Sequence, residues 1–253
     1  MPIDLDLLMR AYASGIFPMA DARDDPDTFW IEPERRAILL LGSFKVSKSL
    51  AKTIRQSRFR VTADTAFPQV IAACAAESGD RSETWINPEI EGSFVELHRR
   101  GHAHSIECWS GEELVGGLYG LAMGRAFFGE SMFSRATDAS KVALTWLVAR
   151  MKIGGFELLD CQFMTDHLAS LGAIEITQEE YLLLLDAALD RNLQVSTSAS
   201  ASSSAGAGAT GAGDWGALDG FLAAGAGFPS ADFSSTASSS PGKLILQALT
   251  QTS

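Results

Sequence analysis

Two carboxylates and an amide interrupt a part of the sequence that otherwise has the composition of a protein core. The glycine-rich stretch 116–120 is followed by Gly129-Glu130-Ser131 and then by Asp160-Cys161-Gln162, all among apolar residues. Burying an unpaired charge costs free energy, so carboxylates among core strands need partners or a chemical role. The fold must therefore enclose these polar groups in one or more polar sites, and we take them as candidates for function.

The length and composition of the chain allow one large domain or two smaller ones. It has 253 residues, of which 46% are hydrophobic. The first residues include Asp4 where a secretory leader would be basic, and no apolar run reaches the roughly 18 residues of a membrane helix. Cys74, Cys108 and Cys161 have no paired spacing. We therefore expect a cytoplasmic protein without disulfides and without a membrane partner.

Sequence patterns divide the chain into three parts. Residues 1–60 have the features of a small N-terminal domain, with a helix capped by Ser47. Residues 61–191 alternate strand and helix patterns, which indicates an α/β or α+β layer fold. Residues 192–253 are dominated by Ser, Ala, Gly and Thr, and we predict a flexible tail because they bury too little apolar surface to offset their ordering entropy. The apolar end of this tail, 243–249, could dock back on the body as a strand or helix.

The net charge of −11 conceals an uneven distribution of charge. Residues 61–191 hold 9 basic and 20 acidic residues, whereas residues 35–60 hold eight basic residues and no acidic one. Lys48, Lys52 and Arg55 share one face of the helix predicted after Ser47. That face is either an ordinary solvated surface or a phosphate-binding one, and the lack of balancing acids favours phosphate binding. The candidate nucleic-acid contacts are Arg35, Arg36, Lys45, Lys48, Lys52 and Arg55.

Asp160 and Gln162 fall on the same face of a predicted strand, because strand side chains repeat every two residues. A carboxylate that polarises an amide, which in turn aligns a nucleophile, is a reasonable arrangement for general-base catalysis. Glu130 follows a glycine at the end of another predicted strand. The alternative is a structural hydrogen-bond network around buried glycines, and residue spacing leaves both interpretations open.

Several other common motifs of catalytic sites are missing from the sequence. His102 and His104 would face one side of a strand, but no cysteine or carboxylate completes a set of metal ligands nearby, so we expect no metal. Gly-x-Ser-x-Gly, a Walker A loop and a dinucleotide-binding glycine motif are absent. Most of the large apolar side chains are expected in the core, and some could line a pocket for an apolar group.

Short motifs occur in a characteristic order along most of the chain. Among them are Ala-Tyr-Ala-Ser-Gly-Ile-Phe-Pro at 11–18, Leu-Val-Gly-Gly-Leu-Tyr-Gly at 114–120, Phe-Gly-Glu-Ser-Met-Phe-Ser at 128–134, Asp-Cys-Gln at 160–162 and His-Leu-Ala-Ser-Leu-Gly-Ala at 167–173. No single motif is decisive, but the ordered set is highly specific. In this set the chain resembles the bacterial leucyl/phenylalanyl-tRNA–protein transferases.

The resemblance implies an aminoacyltransferase. Such an enzyme moves Leu, Phe or Met from aminoacyl-tRNA to the N-terminal Arg or Lys of a protein, which marks that protein for N-degron-dependent degradation. It would have an α+β architecture: a small N-terminal domain (1–60), a domain of the Gcn5-related N-acetyltransferase fold with a central mixed sheet flanked by helices (61–191), and the tail (192–253). The resemblance implies no acetyl-CoA, metal or ATP, and we expect a monomer.

The resemblance also implies roles for particular residues. Asp160 and Gln162 match the base relay of the family, and Glu130 matches its pocket carboxylate. Trp30 would come from the N-terminal domain and close the pocket for the transferred side chain. The pocket residues implied in this way are Trp30, Trp85, Leu118, Phe127, Met132, Leu144, Leu147 and Met151.

Two other classes of protein compete with this interpretation. A coenzyme-A-dependent N-acetyltransferase of the same fold class would need a Gln/Arg-x-x-Gly-x-Gly/Ala loop, and Arg-Ala-Thr-Asp-Ala stands at 135–139 instead. A non-catalytic protein that binds tRNA or peptides would keep the basic helix. It would have no need for Glu130, Asp160 and Gln162 together.

Overall fold

A seven-stranded sheet is the centre of the fold in the computed structural model, which describes residues 3–76, 84–189, 212–227 and 240–250. The strands are β1 (Phe17–Met19), β2 (Phe29–Ile31), β3 (Arg35–Leu39), β4 (Arg60–Ala63), β5 (Ala103–Ser110), β6 (Glu113–Met123), β7 (Ala126–Ser134), β8 (Leu158–Gln162) and β9 (Ile174–Thr177). The helices are α1 (Leu5–Tyr12), α2 (Lys48–Arg55), α3 (Phe67–Ala75), α4 (Pro88–Arg99), α5 (Ala139–Ile153), α6 (Asp166–Ser170), α7 (Gln178–Ala188), α8 (Ala217–Gly227) and α9 (Pro241–Thr250).

The large sheet is mixed. Its strands follow the order β4-β5-β6-β7-β8-β3-β9, and β1 pairs with β2 in a separate hairpin. Neighbouring strands of the large sheet are antiparallel except for β7 and β8, which run parallel. The prediction of an α+β protein with a small N-terminal unit and a mixed sheet flanked by helices is thus confirmed.

Helices cover both faces of the large sheet and enclose two apolar cores. One core contains α5 together with apolar residues of α2, α8 and α9. The other contains residues of α1, α3, α4 and α7. Helix α5 is apolar around most of its circumference, as expected for a helix that is covered on several sides. In the part of the chain described here, no helix has the length and apolarity needed to span a bilayer.

Residues 35–60 pack as part of the large-sheet domain, whereas the boundary predicted at residue 60 assigned them to a separate N-terminal unit. Strand β3 lies inside the large sheet, between β8 and β9, and α2 packs against α5 and α9. Outside the large sheet, the N-terminal residues form α1 and the β1–β2 hairpin, and Leu8 and Tyr12 of α1 are buried in one of the two cores. The sequence pattern groups β3 with the elements adjacent to it in sequence. The strands that pair with β3 in the sheet come instead from much later residues.

The tail that was expected to be flexible contains two docked helices. Helices α8 and α9 pack against α5, and Leu218 and Ile245 are fully buried. Docking of the 243–249 segment is confirmed and takes the form of helix α9. The prediction averaged composition over the whole tail, which hid the short apolar segments that drive docking. Residues 190–211, 228–239 and 251–253 lie outside the described part of the chain.

Candidate active site

The candidate site lies where strands β7 and β8 separate. The two strands pair in parallel from Ala126 opposite Leu158 to Phe128 opposite Asp160. Further along, β7 stays beside β6 and β8 stays beside β3, and a cavity opens between them. Glu130 and Gln162 meet across this opening, where the Nε2 atom of Gln162 donates a hydrogen bond of 3.0 Å to Oε1 of Glu130.

The backbone at Gln162 is held in an unusual conformation. Its φ angle is 61°, in the left-handed region that residues with a Cβ atom rarely adopt. The Oδ1 atom of Asp160 accepts a hydrogen bond of 2.8 Å from the backbone N–H of Gln162. Asp160 therefore fixes the turn that aims the Gln162 side chain at Glu130.

The Asp160 carboxylate forms a buried ion pair with Arg36. Arg36 Nε lies 2.9 Å from Asp160 Oδ1 and Arg36 Nη2 lies 2.6 Å from Oδ2, and the two side chains are 1% and 0% exposed. The Tyr181 hydroxyl donates a further bond of 2.8 Å to Oδ2. Burial alone would lower the pKa of Arg36, but the Asp160 carboxylate raises it above its usual value.

This ion pair corrects two expectations. Arg36, a predicted nucleic-acid contact, lies in the core with its guanidinium between the rings of Phe17 and Tyr181. The carboxylate of Asp160 bonds the backbone of Gln162 and not its side-chain amide, so the expected Asp160–amide contact of the relay is replaced by the Glu130–amide contact. The sequence contained a signal for this ion pair. Adjacent residues of a strand face opposite sides of the sheet, so Arg35 and Arg36 cannot both face solvent.

Glu130 is a buried carboxyl group. Burial raises its pKa from 4.5 to about 8, an effect that the hydrogen bonds of Tyr12 and Gln162 offset in part. At neutral pH the group is mostly protonated and can donate a hydrogen bond. The Oε2 atom of Glu130 and the hydroxyl groups of Tyr12 and Tyr119 are buried, and the Tyr12 hydroxyl interacts with the Glu130 carboxyl group. Tyr119, Glu130 and Gln162 line the cavity and form its polar end.

Replacing Glu130 with Gln is expected to make the stability of the protein less dependent on pH between about 4.5 and 8. The folded state keeps the proton of Glu130 up to about pH 8, whereas the unfolded chain loses it above about 4.5. Stability from this group is therefore complete below pH 4.5 and declines, by about 1.4 kcal/mol per pH unit, as pH rises to 8. Urea unfolding at several pH values should show Glu130→Gln gaining on the wild type as pH rises. Curves that stay parallel would contradict a neutral buried Glu130.

The cavity has a volume of about 450 Å³ and a mostly apolar lining. Five of the eight predicted pocket residues line it. They come from the loop before α4, from β6, from β7 and from α5, and they are Trp85, Leu118, Met132, Leu144 and Leu147. Glu130 and Gln162 also belong to the lining, so the apolar pocket and the polar pair form one continuous site.

The other three predicted pocket residues lie elsewhere. Trp30 is 39% exposed on β2 and is not part of the lining. Phe127 and Met151 are fully buried in the core instead. Met151 follows Leu147 by one helical turn on α5, so its side chain lies beyond the end of the cavity. The ring of Phe127 packs against the Cα of Gly120, where an added Cβ would come within 2.4 Å of it.

Residues that follow Gln162 line the cavity but were absent from the predicted pocket. Phe163, Thr165 and His167 contribute one wall, together with Leu168. Burial lowers the pKa of His167. The signal for these residues was their position between the motifs at 160–162 and 167–173, because a loop that joins two motifs of one site passes beside it.

The predicted basic surface is retained in part. Lys45, Lys48, Lys52 and Arg55 are exposed on α2 and just before it. The predicted cap is confirmed, since the Ser47 side chain accepts a bond of 3.1 Å from the Leu50 N–H. The remaining two predicted contacts are engaged in the protein: Arg36 is buried, and Arg35 pairs with Glu175 at 3.2 Å.

The two histidines considered for a metal site do not share a face. His102 is exposed, whereas His104 is buried on β5 and contacts Asp64 with 2.8 Å between Nδ1 and Oδ2. The prediction assumed that one strand holds both, but β5 begins at Ala103. Within the described residues, no group of three or more His, Cys, Asp or Glu side chains is arranged to hold a metal ion.

Comparison with known proteins places the chain in the class of tRNA-dependent aminoacyl transferases. Residues 38–186 match the model of the leucyl/phenylalanyl-tRNA protein transferases, and residues 1–34 match the model of the N-terminal domain of these proteins. The two matches meet next to β3 rather than at residue 60. The chain therefore belongs to the leucyl/phenylalanyl-tRNA protein transferase family.

Relatives that carry the name leucyl/phenylalanyl-tRNA–protein transferase cover most of the chain. One from Rhizorhabdus wittichii is 61% identical over 218 residues, which are 86% of this chain and 88% of that protein. Another from Novosphingobium aromaticivorans is 53% identical over 253 residues, 98% of this chain and 96% of that protein. The solved structure of L-PGS from Bacillus licheniformis, at 14% identity and a TM-score of 0.33, covers 65% of this chain and 55% of its own, a likeness too slight to bear on fold or function.

Proposed function

We propose that this protein transfers Leu, Phe or Met from aminoacyl-tRNA to the α-amine of proteins that begin with Arg or Lys. The observation that carries the proposal is the hydrogen-bonded pair of Glu130 and Gln162 at the polar end of an apolar cavity, in a chain of this family. The product would be a protein with one more residue at its N-terminus, which fits a mark for N-degron-dependent degradation in the cytoplasm.

The reaction exchanges an ester for an amide. The amine nitrogen bonds to the carbonyl carbon of the aminoacyl group, and the bond from that carbon to the ribose oxygen of tRNA breaks. The amine loses one proton and the released ribose oxygen gains one. This exchange is downhill and needs no energy cofactor. An α-amine has a pKa of about 8, so a useful fraction is already neutral at pH 7.

Gln162 can act on the attacking amine, and Glu130 can act on the ester carbonyl group. The Gln162 amide donates to Glu130 and so directs its own carbonyl oxygen toward an incoming N–H group. Neutral Glu130 keeps a proton that it can donate to the ester carbonyl oxygen as negative charge develops there. In this arrangement Asp160 acts as a positioning residue, because it holds the backbone of Gln162.

The cavity suits the side chains of Leu, Phe and Met. Leu118, Leu144 and Leu147 offer an apolar surface that satisfies no polar group, so polar or charged side chains would be left unpaired. The volume of about 450 Å³ lies within the range of small-molecule sites. The same apolar surface can accept unbranched, branched and aromatic apolar side chains.

The exposed cations of α2 provide a surface for the tRNA backbone. Reversing two of them, in Lys48→Glu with Lys52→Glu, should weaken tRNA binding and reduce the dependence of log K on log[salt] by about 2, because two phosphate contacts are lost. Binding of uncharged tRNA at several salt concentrations measures both effects. Arg99→Glu with Arg100→Glu makes the same change in net charge at the C-terminal end of α4, away from α2, and should have little effect on tRNA binding. Unchanged affinity in the α2 variant would contradict this surface.

The acidic excess of residues 61–191 suits an acceptor with a basic N-terminus. The test of acceptor choice uses one reporter protein with N-terminal Arg, Lys, Ala or acetylated Arg, incubated with Leu-, Phe- and Met-tRNA. Mass spectrometry should show one added Leu, Phe or Met on the Arg and Lys forms alone. Addition to the Ala form would overturn the acceptor assignment, and acetylation of the reporter from acetyl-CoA would overturn the reaction itself.

A further inference from the structure

One tryptophan joins the C-terminal segment 212–227 to the large sheet. The Trp215 ring stacks on His104 of β5, with centroids 4.3 Å apart, and on Phe127 of β7, with centroids 5.4 Å apart and an interplanar angle of 9°. Its Nε1 atom donates a bond of 2.8 Å to Oδ2 of Asp64. Trp215 thus contacts two strands and the turn after β4 at once.

The same segment also contacts helix α5. Arg150 of α5 lies over the Trp215 ring, 5.0 Å from its centroid, and donates bonds of 2.8 Å and 2.7 Å to the two carboxylate oxygens of Asp219. Arg150 also donates to the backbone oxygen of Trp215. The Arg150 side chain is almost fully buried, and a buried cation depends strongly on such partners.

Backbone contacts place the segment closely against the end of α5. The backbone N–H of Asp214 donates a hydrogen bond of 2.8 Å to the carbonyl oxygen of Gly154. The backbone N–H of Gly213 donates one of 2.8 Å to the carbonyl oxygen of Gly124. A Cβ atom at Gly154 would lie 2.2 Å from the backbone oxygen of Asp214, so the approach requires glycine there. The segment is docked by fitted contacts and not by apolar composition alone.

Helix α5 carries these contacts directly to the cavity. Leu144 and Leu147 form part of the cavity wall, and Arg150 follows Leu147 by three residues, which makes the two side chains neighbours on the helix surface. On β7, Phe127 precedes Glu130 by three residues. A shift of α5 or of β7 would therefore change the shape of the apolar cavity.

We infer that Trp215 and Asp219 are positioning residues that hold α5 against the sheet and thereby set which apolar side chains the cavity accepts. The inference rests on the proposed function and extends it to residues beyond the family match, which ends at residue 186. A difference of one methylene in an apolar pocket changes kcat/KM by roughly 10–200-fold, so a small movement of Leu144 and Leu147 is enough to alter selectivity.

The test compares transfer from Leu-tRNA and from Phe-tRNA by the full chain and its variants. Trp215→Ala should change the ratio of the two kcat/KM values by about threefold or more, mainly through KM. Trp215→Phe keeps an aromatic ring on Phe127 and should restore the ratio toward that of the wild type. Asp219→Asn, at a surface position, should shift the ratio in the same direction as Trp215→Ala but less.

Trp109 provides a matched control. Its Nε1 atom donates a bond of 2.8 Å to Thr62 Oγ1, and Arg60 lies over its ring at 5.1 Å, so its contacts resemble those of Trp215. Trp109 lies on β5 beside the edge strand β4 and is not part of the cavity lining. Trp109→Ala should lower the Tm and leave the Leu/Phe ratio unchanged.

Hydrogen exchange separates this inference from the proposed function. Amides of residues 142–151 should exchange faster in Trp215→Ala than in Trp109→Ala, whether or not the protein transfers amino acids. Equal exchange, or an unchanged Leu/Phe ratio in Trp215→Ala, would overturn the positioning role. If Trp215→Ala does not fold, Asp219→Asn decides by the same two measurements. A wild type with no transfer activity would overturn the proposed function and leave the exchange result to decide the docking role.

Discussion

Replacing Asp160 with alanine is expected to lower the free energy of unfolding by about 3–5 kcal/mol, because it leaves Arg36 buried without its counter-charge. The guanidinium would keep the carbonyl oxygen of Gly15, at 3.0 Å, and the faces of two rings, but no anion. Tyr181 would lose the acceptor of its hydroxyl group as well. Urea unfolding at pH 7 measures the loss.

The neighbouring arginine offers a control for this prediction. Arg35 pairs with Glu175 in an exposed position, so Arg35→Ala should cost about 0–1 kcal/mol. The double replacement Arg36→Met with Asp160→Leu removes both charges and should recover part of the stability lost in Asp160→Ala. A loss in Asp160→Ala as small as that in Arg35→Ala would contradict the buried ion pair.

Replacing Gln162 with glycine is expected to lower kcat/KM for amino acid transfer by about 10²–10³, because it removes the amide that aligns the amine and orders Glu130. Glycine is chosen because it adopts the φ of 61° without strain, so the turn after β8 should survive. The effect should appear in kcat more than in KM, since the amide acts on the reacting atoms. Single-turnover transfer from Leu-tRNA measures it.

Gln178 serves as the control for this variant. It bonds Glu32 on the surface, and Gln178→Ala should leave both transfer and stability nearly unchanged. Activity near that of the wild type in Gln162→Gly would show that the Glu130–Gln162 pair does not act in the reaction. Gln162→Gly is a cleaner test than Asp160→Ala, because loss of activity in the latter would follow from lost stability alone.

The features that the sequence predicted correctly depend on local chemistry. Ser47 begins α2 as expected, since a serine that caps a helix acts within one turn of its own position. The apolar end of the tail docks as α9, because an apolar segment of that length needs a surface to cover it. Glu130 and Gln162 were both singled out as polar groups among apolar strands, although their contact with each other was not predicted.

The features that the sequence failed to predict depend on pairing between distant segments. Arg36 was grouped with a basic surface because its neighbours along the chain are basic, whereas its environment is set by Asp160 and Tyr181. Local pattern does not show that β3 enters the sheet beside β8. Phe127 and Trp30 illustrate the same limit for the cavity, because the direction of a side chain depends on strand register and on which segments cover the strand.

The most direct measurement is the transfer of radiolabelled leucine from Leu-tRNA to a protein with N-terminal Arg, compared with the same protein with N-terminal Ala. Wild-type protein and Gln162→Gly are assayed side by side. We expect label on the Arg form alone with the wild type, and a loss of about 10²–10³ in transfer with the variant. Absence of transfer by a folded wild type that binds Leu-tRNA would contradict the proposed function, and so would equal labelling of the Arg and Ala forms.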